Sequence, residues 1–324
     1  MSVEWRSPWE AGNSPEYAPI PPPPHPTYDL DQVVRLALDE DSAGIGDVTT
    51  LSTIPETTQA VASFLAKADG VLAGLAVADK VFAEVDPGLE VTWTHKDGDF
   101  VLKGTIFGSV RGSARSILVA ERIALNFLQR MSGIATATHA MAAAVKDFPA
   151  RILETRKTVP GLRVLDKWAV LIGGGVNHRI GLYDMVMIKN NHISAAGSVK
   201  AAVHSTLEYT RARGLKVPIE VEARTLQEVH EVLEVLQADP GCINRIMLDN
   251  MTRLDPTMPG GVDVQMLQSA MDLIKGHDVE TEASGNVTLQ TVERIGSTGV
   301  AFISCGALTH SVVALDISLR IHDS

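Results

Sequence analysis

RILETRKTVPGLRVLDKWAVLIGGGVNHRIGLYDMVMIKNNHI, residues 151 to 193, decides how the rest of this chain is read. Seven of its residues are Lys or Arg (Arg151, Arg156, Lys157, Arg163, Lys167, Arg179, Lys189) and three are acids, within a chain whose formal charge is −11. The sign of the charge inverts locally. Arg156 and Lys157 follow a strand-like run from Ile152 to Thr155, Lys189 ends a second from Met185 to Ile188, and GGGVNHR lies between them. Buried strands seldom finish on cations unless an anion waits there. Arg offers a planar fork to carboxylate or phosphate, Lys a point charge, and His a donor that titrates near neutrality. A solvated basic face is the plainer alternative, but that would show i, i+4 spacing rather than branched apolar runs and glycines. The pattern points to a site for a small polyanion.

Working outward, residues after 150 repeat an apolar strand followed by a helix. The strand candidates are ILETRK (152–157), DMVMIK (184–189), PIEVEA (218–223), RIMLDN (245–250), VETEAS (279–284) and AFISCG (301–306). Such spacing suits βα units around a parallel sheet. Each strand ends on chemistry: Arg156 and Lys157, Lys189, Glu222, Asp249, Ser284 with Gly285, and Ser304 with Gly306. Parallel α/β barrels gather such groups at the carboxyl ends of their strands. An open doubly wound sheet would also gather them, but no GxGxxG follows any strand, so a barrel is expected. The last two strands run into SGNVTLQTVERI and CGALTHSVVAL, each a glycine turn before a helix, an arrangement that favours phosphate. Glu222 and Asp249 suit sugar hydroxyls, magnesium held through substrate phosphates, or general-base work; alternatively they neutralise Lys157 or Lys189.

Ahead of the barrel, residues 1–28 hold eight of the sixteen prolines and read as an extended tail or arm. A helix follows from DLDQVVRLALDED with Asp29 as its cap, broken by GIGDVTT. Short strands and a helix then suggest a small α/β domain. SARSILVAERIALNFLQRMSG is the longest helical pattern; Gly133 is expected to end or bend it before IATATHAMAAAV resumes. Arg122 and Arg130 on this element read most simply as salt-bridged surface residues. The expected domains are 29–135 and 136–324, with a C-terminal helix packing back on the first.

A pI near 5.4 argues against a nucleic-acid or anionic-membrane surface, and no apolar run reaches the ~20 residues of a membrane span. Cys242 and Cys305 have no metal-ligand spacing and suit a reducing compartment. The cytoplasm is the expected location.

Seven runs carry a resemblance: ERIALNFLQRMSGIAT, ETRKTVPGLRVLDKWAV, GGGVNHRIGLYDMVMIKNNHI, IEVEA, IMLDN, EASGN and GALTHSVVALDISL. In this order, over roughly residues 30 to 322, they resemble the quinolinate phosphoribosyltransferases. The resemblance implies a sandwich-like α/β N-terminal domain, an incomplete seven-stranded parallel α/β barrel, and a homodimer or higher oligomer with active sites shared between subunits. It also implies transfer of phosphoribosyl from 5-phosphoribosyl 1-diphosphate, with Mg2+, to quinolinate, giving nicotinate mononucleotide, pyrophosphate and CO2 for NAD synthesis. By matching motif, Arg156, His178, Arg179 and Lys189 would hold quinolinate, with Arg122 entering from the partner subunit. Thr155, Lys157, Glu222, Asp249, Ser284, Gly285, Asn286, Ser304 and Gly306 would hold the phosphoribosyl diphosphate. Lys157, Lys189, Glu222 and Asp249 would serve catalysis, and Glu222 and Asp249 are the candidates to meet the metal. Trp168, Asn190 and Cys305 depart from the family's usual residues. Rival readings are a related transferase with another pyridine acid, or a barrel aldolase that forms a Schiff base on Lys189.

Overall fold

The structure, a computed structural model, describes residues 19–322. The described residues form two units: 19–139 with 158–174 and 308–322, and 140–157 with 175–307.

The first unit starts with α1 (Leu30–Ser42), capped as expected by Asp29, whose side chain accepts the N–H groups of Asp31 and Gln32. A second helix, α2 (Val48–Thr53), occupies the stretch expected only to break the first; Asp47 caps it, accepting from Thr49 and Thr50. An Asp directly before a short Thr-rich run was its signal. Next come β1 (Gln59–Ala66), β2 (Gly70–Val71), α3 (Leu75–Val85), β3 (Glu90–Trp93), β4 (Phe100–Val101), β5 (Ile106–Ser113) and α4 (Ala114–Ala144). The core gathers around Phe64, whose ring meets Phe82, Trp93 and Phe107 at centroid distances of 5.9, 4.7 and 5.8 Å. Phe64, Phe82 and Phe107 are buried, and each contributes roughly 1.5–3 kcal/mol through area removed from water.

Gly133 neither ends nor bends α4, which runs through it. A Cβ there would lie 2.3 Å from the carbonyl oxygen of Val313, so the glycine admits another segment's backbone. On the same helix, Arg130 is not an ordinary surface residue. It grips the fully buried Asp166 with two hydrogen bonds of 2.8 Å and donates to the Thr309 carbonyl at 3.1 Å.

The second unit is built on β6 (Arg151–Leu153), β7 (Val186–Ile188), β8 (Ile219–Ala223), β9 (Arg245–Asp249), β12 (Glu280–Ser284) and β13 (Phe302–Ser304). All six expected strands are present, parallel throughout, in the order β6-β13-β12-β9-β8-β7. The seventh strand of the expected barrel is reduced to one residue: Val176 bridges Leu153 in parallel. The two-residue strands β10 (Arg253–Leu254) and β11 (Val262–Asp263) form a separate ribbon in the connection after β9.

Three expectations need correction. The helix α5 (Arg163–Ile172), assigned by sequence to the barrel, belongs to the first unit, so a boundary at 135/136 misses an exchange of segments. The final element is a strand, β14 (Ile317–Ile321), which pairs antiparallel with β1 to complete the order β14-β1-β5-β3. Its alternation, buried at Ile317 and Leu319, has a period of two, where a C-terminal helix was expected. Finally, the part of the tail that is described is not a loose tether: Ile20 packs on the core and its carbonyl accepts the indole N–H of Trp168 at 2.8 Å. Residues 1–18 lie outside the described residues.

Gly133→Ala should lower stability by about 1–3 kcal/mol through overpacking against backbone that has no rotamer to yield. Urea unfolding with an unchanged slope and a lower midpoint is the expected result.

Candidate active site

Strand geometry builds the site. Met187 and Lys189, Glu222, Met247 and Asp249, Glu282 and Ser284, and Ser304 are spaced by two where they share a strand, so their side chains leave on one face. The register sets Ser284 level with Asp249 on one side and Ser304 on the other. With Thr155, Arg156, Lys157, His178, Arg179 and Asn250, these side chains line a cavity of about 550 Å³. Ten of the candidate residues are therefore brought together. Arg122, Gly285, Asn286 and Gly306 are not among the lining residues.

Only four of the seven cations in residues 151–193 reach the cavity: Arg156, Lys157, Arg179 and Lys189. Lys167 is fully buried in the first unit and Arg163 donates to Thr158 there. A Cβ on Gly173 would sit 2.5 Å from the carbonyl oxygen of Ala135 on α4, so it serves packing.

Arg179 is half-buried and donates to the Met185 carbonyl at 3.3 Å. Burial and the neighbouring Arg156 both weaken its hold on its proton. Two partly buried guanidiniums that repel each other in one cavity call for an anion there. Lys189 Nζ lies 3.4 Å from Glu222 Oε2, and Glu222 Oε1 accepts the backbone N–H of Asn190 at 3.4 Å. Asn190 meets Glu222 through its main chain, which is why its departure from the family's usual residue leaves that contact intact. Asp249 accepts from the Asn250 side chain at 2.8 Å through Oδ2.

His178 sits deeper. Its Nε2 faces Glu220 Oε2 at 3.0 Å and Glu282 Oε2 at 3.3 Å, and Nδ1 accepts the backbone N–H of Arg179 at 2.6 Å. Burial works against charge on this ring, yet Glu220 and Glu282 push its pKa up to about 9.

The phosphate end differs from the expected turn-plus-helix. The helices after β12 and β13, α10 (Val292–Gly296) and α11 (Ala307–His310), are too short to supply a strong dipole. What remains is a tight backbone turn: Gly285 at φ 96° and Asn286 at φ 56°. A Cβ on Gly285 would fall 2.3 Å from Asn250 Oδ1. Asn286 and Thr252 then hold the turn, Asn286 Nδ2 donating to the Thr252 carbonyl at 2.9 Å and the Thr252 hydroxyl to the Gly285 carbonyl at 3.3 Å.

Sequence reading missed Met187, Met247, Asn250 and Glu282 in the lining. For Glu282 a signal existed: IEVEA and VETEAS each place two acids at i and i+2, on one face of the strand, and this aims Glu220, Glu222 and Glu282 inward while Glu280, at the strand's start, stays half exposed. A cavity with four cations at one wall, carboxylates at the next strands and a narrow backbone turn beyond can bind a dianionic ring beside a phosphorylated sugar.

Comparison with known proteins agrees with this chemistry. Residues 47–132 match the family model for the quinolinate phosphoribosyl transferase N-terminal domain, and residues 134–320 the model for the C-terminal domain. A tobacco (Nicotiana tabacum) protein named quinolinate phosphoribosyltransferase [decarboxylating] 1b is 59% identical over 309 residues, 95% of this chain and 87% of that one. An Arabidopsis thaliana protein named nicotinate-nucleotide pyrophosphorylase [carboxylating], chloroplastic, is 61% identical over 302 residues, 93% and 85% of the two chains. Among solved structures, the nicotinate-nucleotide pyrophosphorylase from Francisella tularensis superposes with a TM-score of 0.79 at 34% identity, covering 90% of this chain and 96% of that one.

Gly285→Ala should displace Asn250 and strain the turn, at a cost of roughly 1–3 kcal/mol for a side chain held at positive φ. Calorimetric titration with ribose 5-phosphate is expected to show about tenfold weaker binding, the equivalent of 1.4 kcal/mol.

Proposed function

This chain belongs to the quinolinate phosphoribosyltransferase family, and on that premise we propose that it transfers the phosphoribosyl group of 5-phosphoribosyl 1-diphosphate to quinolinate. The products are nicotinate mononucleotide, pyrophosphate and CO2, which places the enzyme in NAD synthesis. The observation that carries the reading is one cavity lined by Arg156, Lys157, Arg179 and Lys189 together with Glu222, Asp249, Ser284 and Ser304, in which Arg156 lies near enough to Arg179 to weaken its hold on its proton.

In this assignment Arg156, Arg179 and Lys189 hold the two carboxylates of quinolinate, with His178 in the wall behind Arg179. Stripping a dicarboxylate of water is costly, and several charge-assisted hydrogen bonds offset that cost. Thr155, Lys157, Asp249, Ser284 and Ser304 take the phosphoribosyl diphosphate, with the turn at Gly285 and Asn286 and the backbone at Gly306 shaping the 5-phosphate end. Glu222, held by Lys189 and Asn190, faces the ribose.

Breaking the bond from ribose C1 to the diphosphate sends its electron pair out with pyrophosphate. Carboxylates beside the ribose stabilise the positive character left behind, and the ring nitrogen's lone pair forms the new bond to C1. The pyridinium so formed accepts the electron pair of the adjacent C–CO2 bond as CO2 departs, and that ring carbon takes a proton. Lys157 meets the leaving diphosphate, while the arginines orient the acceptor.

Mg2+ supplies neutralisation of the diphosphate charge when it is bound. Hard oxygen donors suit it, and Asp249 is the carboxylate proposed to reach it, because Glu222 is already paired with Lys189. A homo-oligomer with Arg122 contributed across a subunit boundary is part of the proposal. It is supported by Arg122 lying exposed on α4 and by exposed apolar Ile45, Val48 and Leu51 on the first unit. No described helix is long and apolar enough to cross a membrane. The cytoplasm expected from the sequence stands beside a relative named chloroplastic, and both compartments suit this chemistry.

The test is product formation from phosphoribosyl diphosphate and Mg2+ with quinolinate or nicotinate in parallel. CO2 and pyrophosphate should appear together with quinolinate alone; turnover of nicotinate only, or of neither, would overturn the assignment. Arg179→Ala should raise the KM for quinolinate at least tenfold, as expected on losing a charged hydrogen-bond partner worth about 1.5–3 kcal/mol. The KM for phosphoribosyl diphosphate should move less than about twofold.

A further inference from the structure

Asn250 lines the cavity beside Asp249 and Ser284, yet the reaction as described gives it no task. It follows directly on β9 and takes a left-handed backbone, φ 56°, which few residues other than glycine adopt. Asparagine tolerates that region better than most, because its short side chain can hydrogen-bond locally. Forming a turn would account for the backbone alone. The side chain does more.

The main chain of Asn250 is tied across the sheet, its N–H donating to the Ser284 carbonyl at 2.8 Å. From there the side-chain amide meets two neighbours. Its Nδ2 donates to Asp249 Oδ2 at 2.8 Å. Its Oδ1 lies 2.3 Å from the point where a Cβ on Gly285 would stand, and the Asn250 Cα lies 3.1 Å from that point. An ionised carboxylate accepts and cannot donate, so the NH2 edge of the amide must face Asp249, which turns the carbonyl edge to Gly285. The amide thus fills the space between the carboxylate that ends β9 and the turn that follows β12.

Both neighbours have few other supports. Glu222 is held by Lys189 and by the backbone N–H of Asn190, whereas among the described residues the Asn250 amide is the one side chain hydrogen-bonded to Asp249. Gly285, at φ 96°, is held through its carbonyl by the Thr252 hydroxyl at 3.3 Å. Thr252 in turn accepts Asn286 Nδ2 on its own carbonyl at 2.9 Å. The short segment after β9 therefore braces the turn, and Asn250 joins that brace to a carboxylate of the cavity.

We propose that Asn250 is a positioning residue for the phosphoribosyl donor: its amide fixes Asp249 through Oδ2, leaves Oδ1 for the donor, and sets the spacing between that carboxylate and the Gly285 turn. A carboxylate free to rotate would meet its ligand in only a fraction of its orientations, and small misplacements at a site are costly. The inference deepens the proposed function and rests on it for the identity of the donor. The hydrogen bond and the packing on Gly285 do not depend on it.

Calorimetric titration with phosphoribosyl diphosphate and Mg2+ tests the proposal in four proteins: wild type, Asn250→Gly, Asp249→Ala and the double variant. Glycine keeps the left-handed backbone and removes the amide. Asn250→Gly should weaken binding about tenfold in the wild-type background, as expected on losing a hydrogen bond to a charged group. Where Asp249 is already Ala, the same change should cost less than about twofold. No loss, or equal losses in the two backgrounds, would overturn the proposal, because a residue that only shaped the turn would act without Asp249. Quinolinate affinity should move less than about twofold in Asn250→Gly; a loss as large as that for the donor would also refute it.

Crystals of the ligand-free wild-type and Asn250→Gly proteins supply the second arm. Asp249 should hold one rotamer in the wild type, with Oδ2 on the amide, and lose it in the variant. The same single rotamer in both would refute the positioning, even if Asp249→Ala binds too weakly to titrate. A wild-type Asp249 turned away from the amide would refute it without any variant. A wild-type protein that binds neither phosphoribosyl diphosphate nor quinolinate would sink the proposed function and leave the crystals to judge Asn250.

Discussion

A guanidinium inside a barrel is the constraint on which the rest of this site depends. Arg245 lies buried with its Cζ 3.9 Å above the ring of Phe302, its Nε and Nη2 on Glu280 and its Nη1 on Glu282. Taking such an ion out of water costs several kcal/mol unless every donor is met, so the acids around it are dictated rather than optional. Of those acids, Glu282 also lies 3.3 Å from His178, whose Nδ1 accepts the backbone N–H of Arg179. Charge is therefore handed from strand to strand, and the anion-binding wall at the top is the last member of a series that starts below it. Parallel barrels fill their interiors in layers of side chains from successive strands. Here one layer is ionic.

Most of the barrel could be read from the chain because its strands obey a short rule. In β6, β7, β9 and β13 a short apolar run stops at a polar residue, which located Lys189, Asp249 and Ser304, while β8 and β12 alternate acids with smaller or apolar residues and end at Glu222 and Ser284. What it could not convey was the depth of each charge. Arg156 and Lys167 look alike in sequence, but one lines the cavity and the other lies in the packed interior of the first unit. Spacing of cations says which residues are charged, not which of them a neighbouring helix covers.

The glycines make the same point. Gly133 and Gly173 read as a helix break and a loop, and both turn out to be places where two stretches of backbone touch. Gly285 also lacks room for a Cβ, yet it shapes the cavity, because the atom it would strike belongs to Asn250. Absence of a side chain carries no information about what comes close. Only the fold supplies that, as it does for Glu220 and Glu282, which the register of β8, β9 and β12 brings to within 3.0 and 3.3 Å of His178.

The pairing of β14 with β1 bears on how the molecule is made. The strand at residues 59–66 waits for a partner at 317–321, and the entire barrel sequence is translated between them. On a ribosome the inserted barrel has all its strands available before the first unit can complete its sheet. Domains fold largely as units during synthesis, so the order of folding here inverts the order of the sequence. For that interval β1 presents an open edge, the kind of template that invites pairing with another chain. Synthesis speed and chaperone supply, more than final stability, then govern how much of the protein matures.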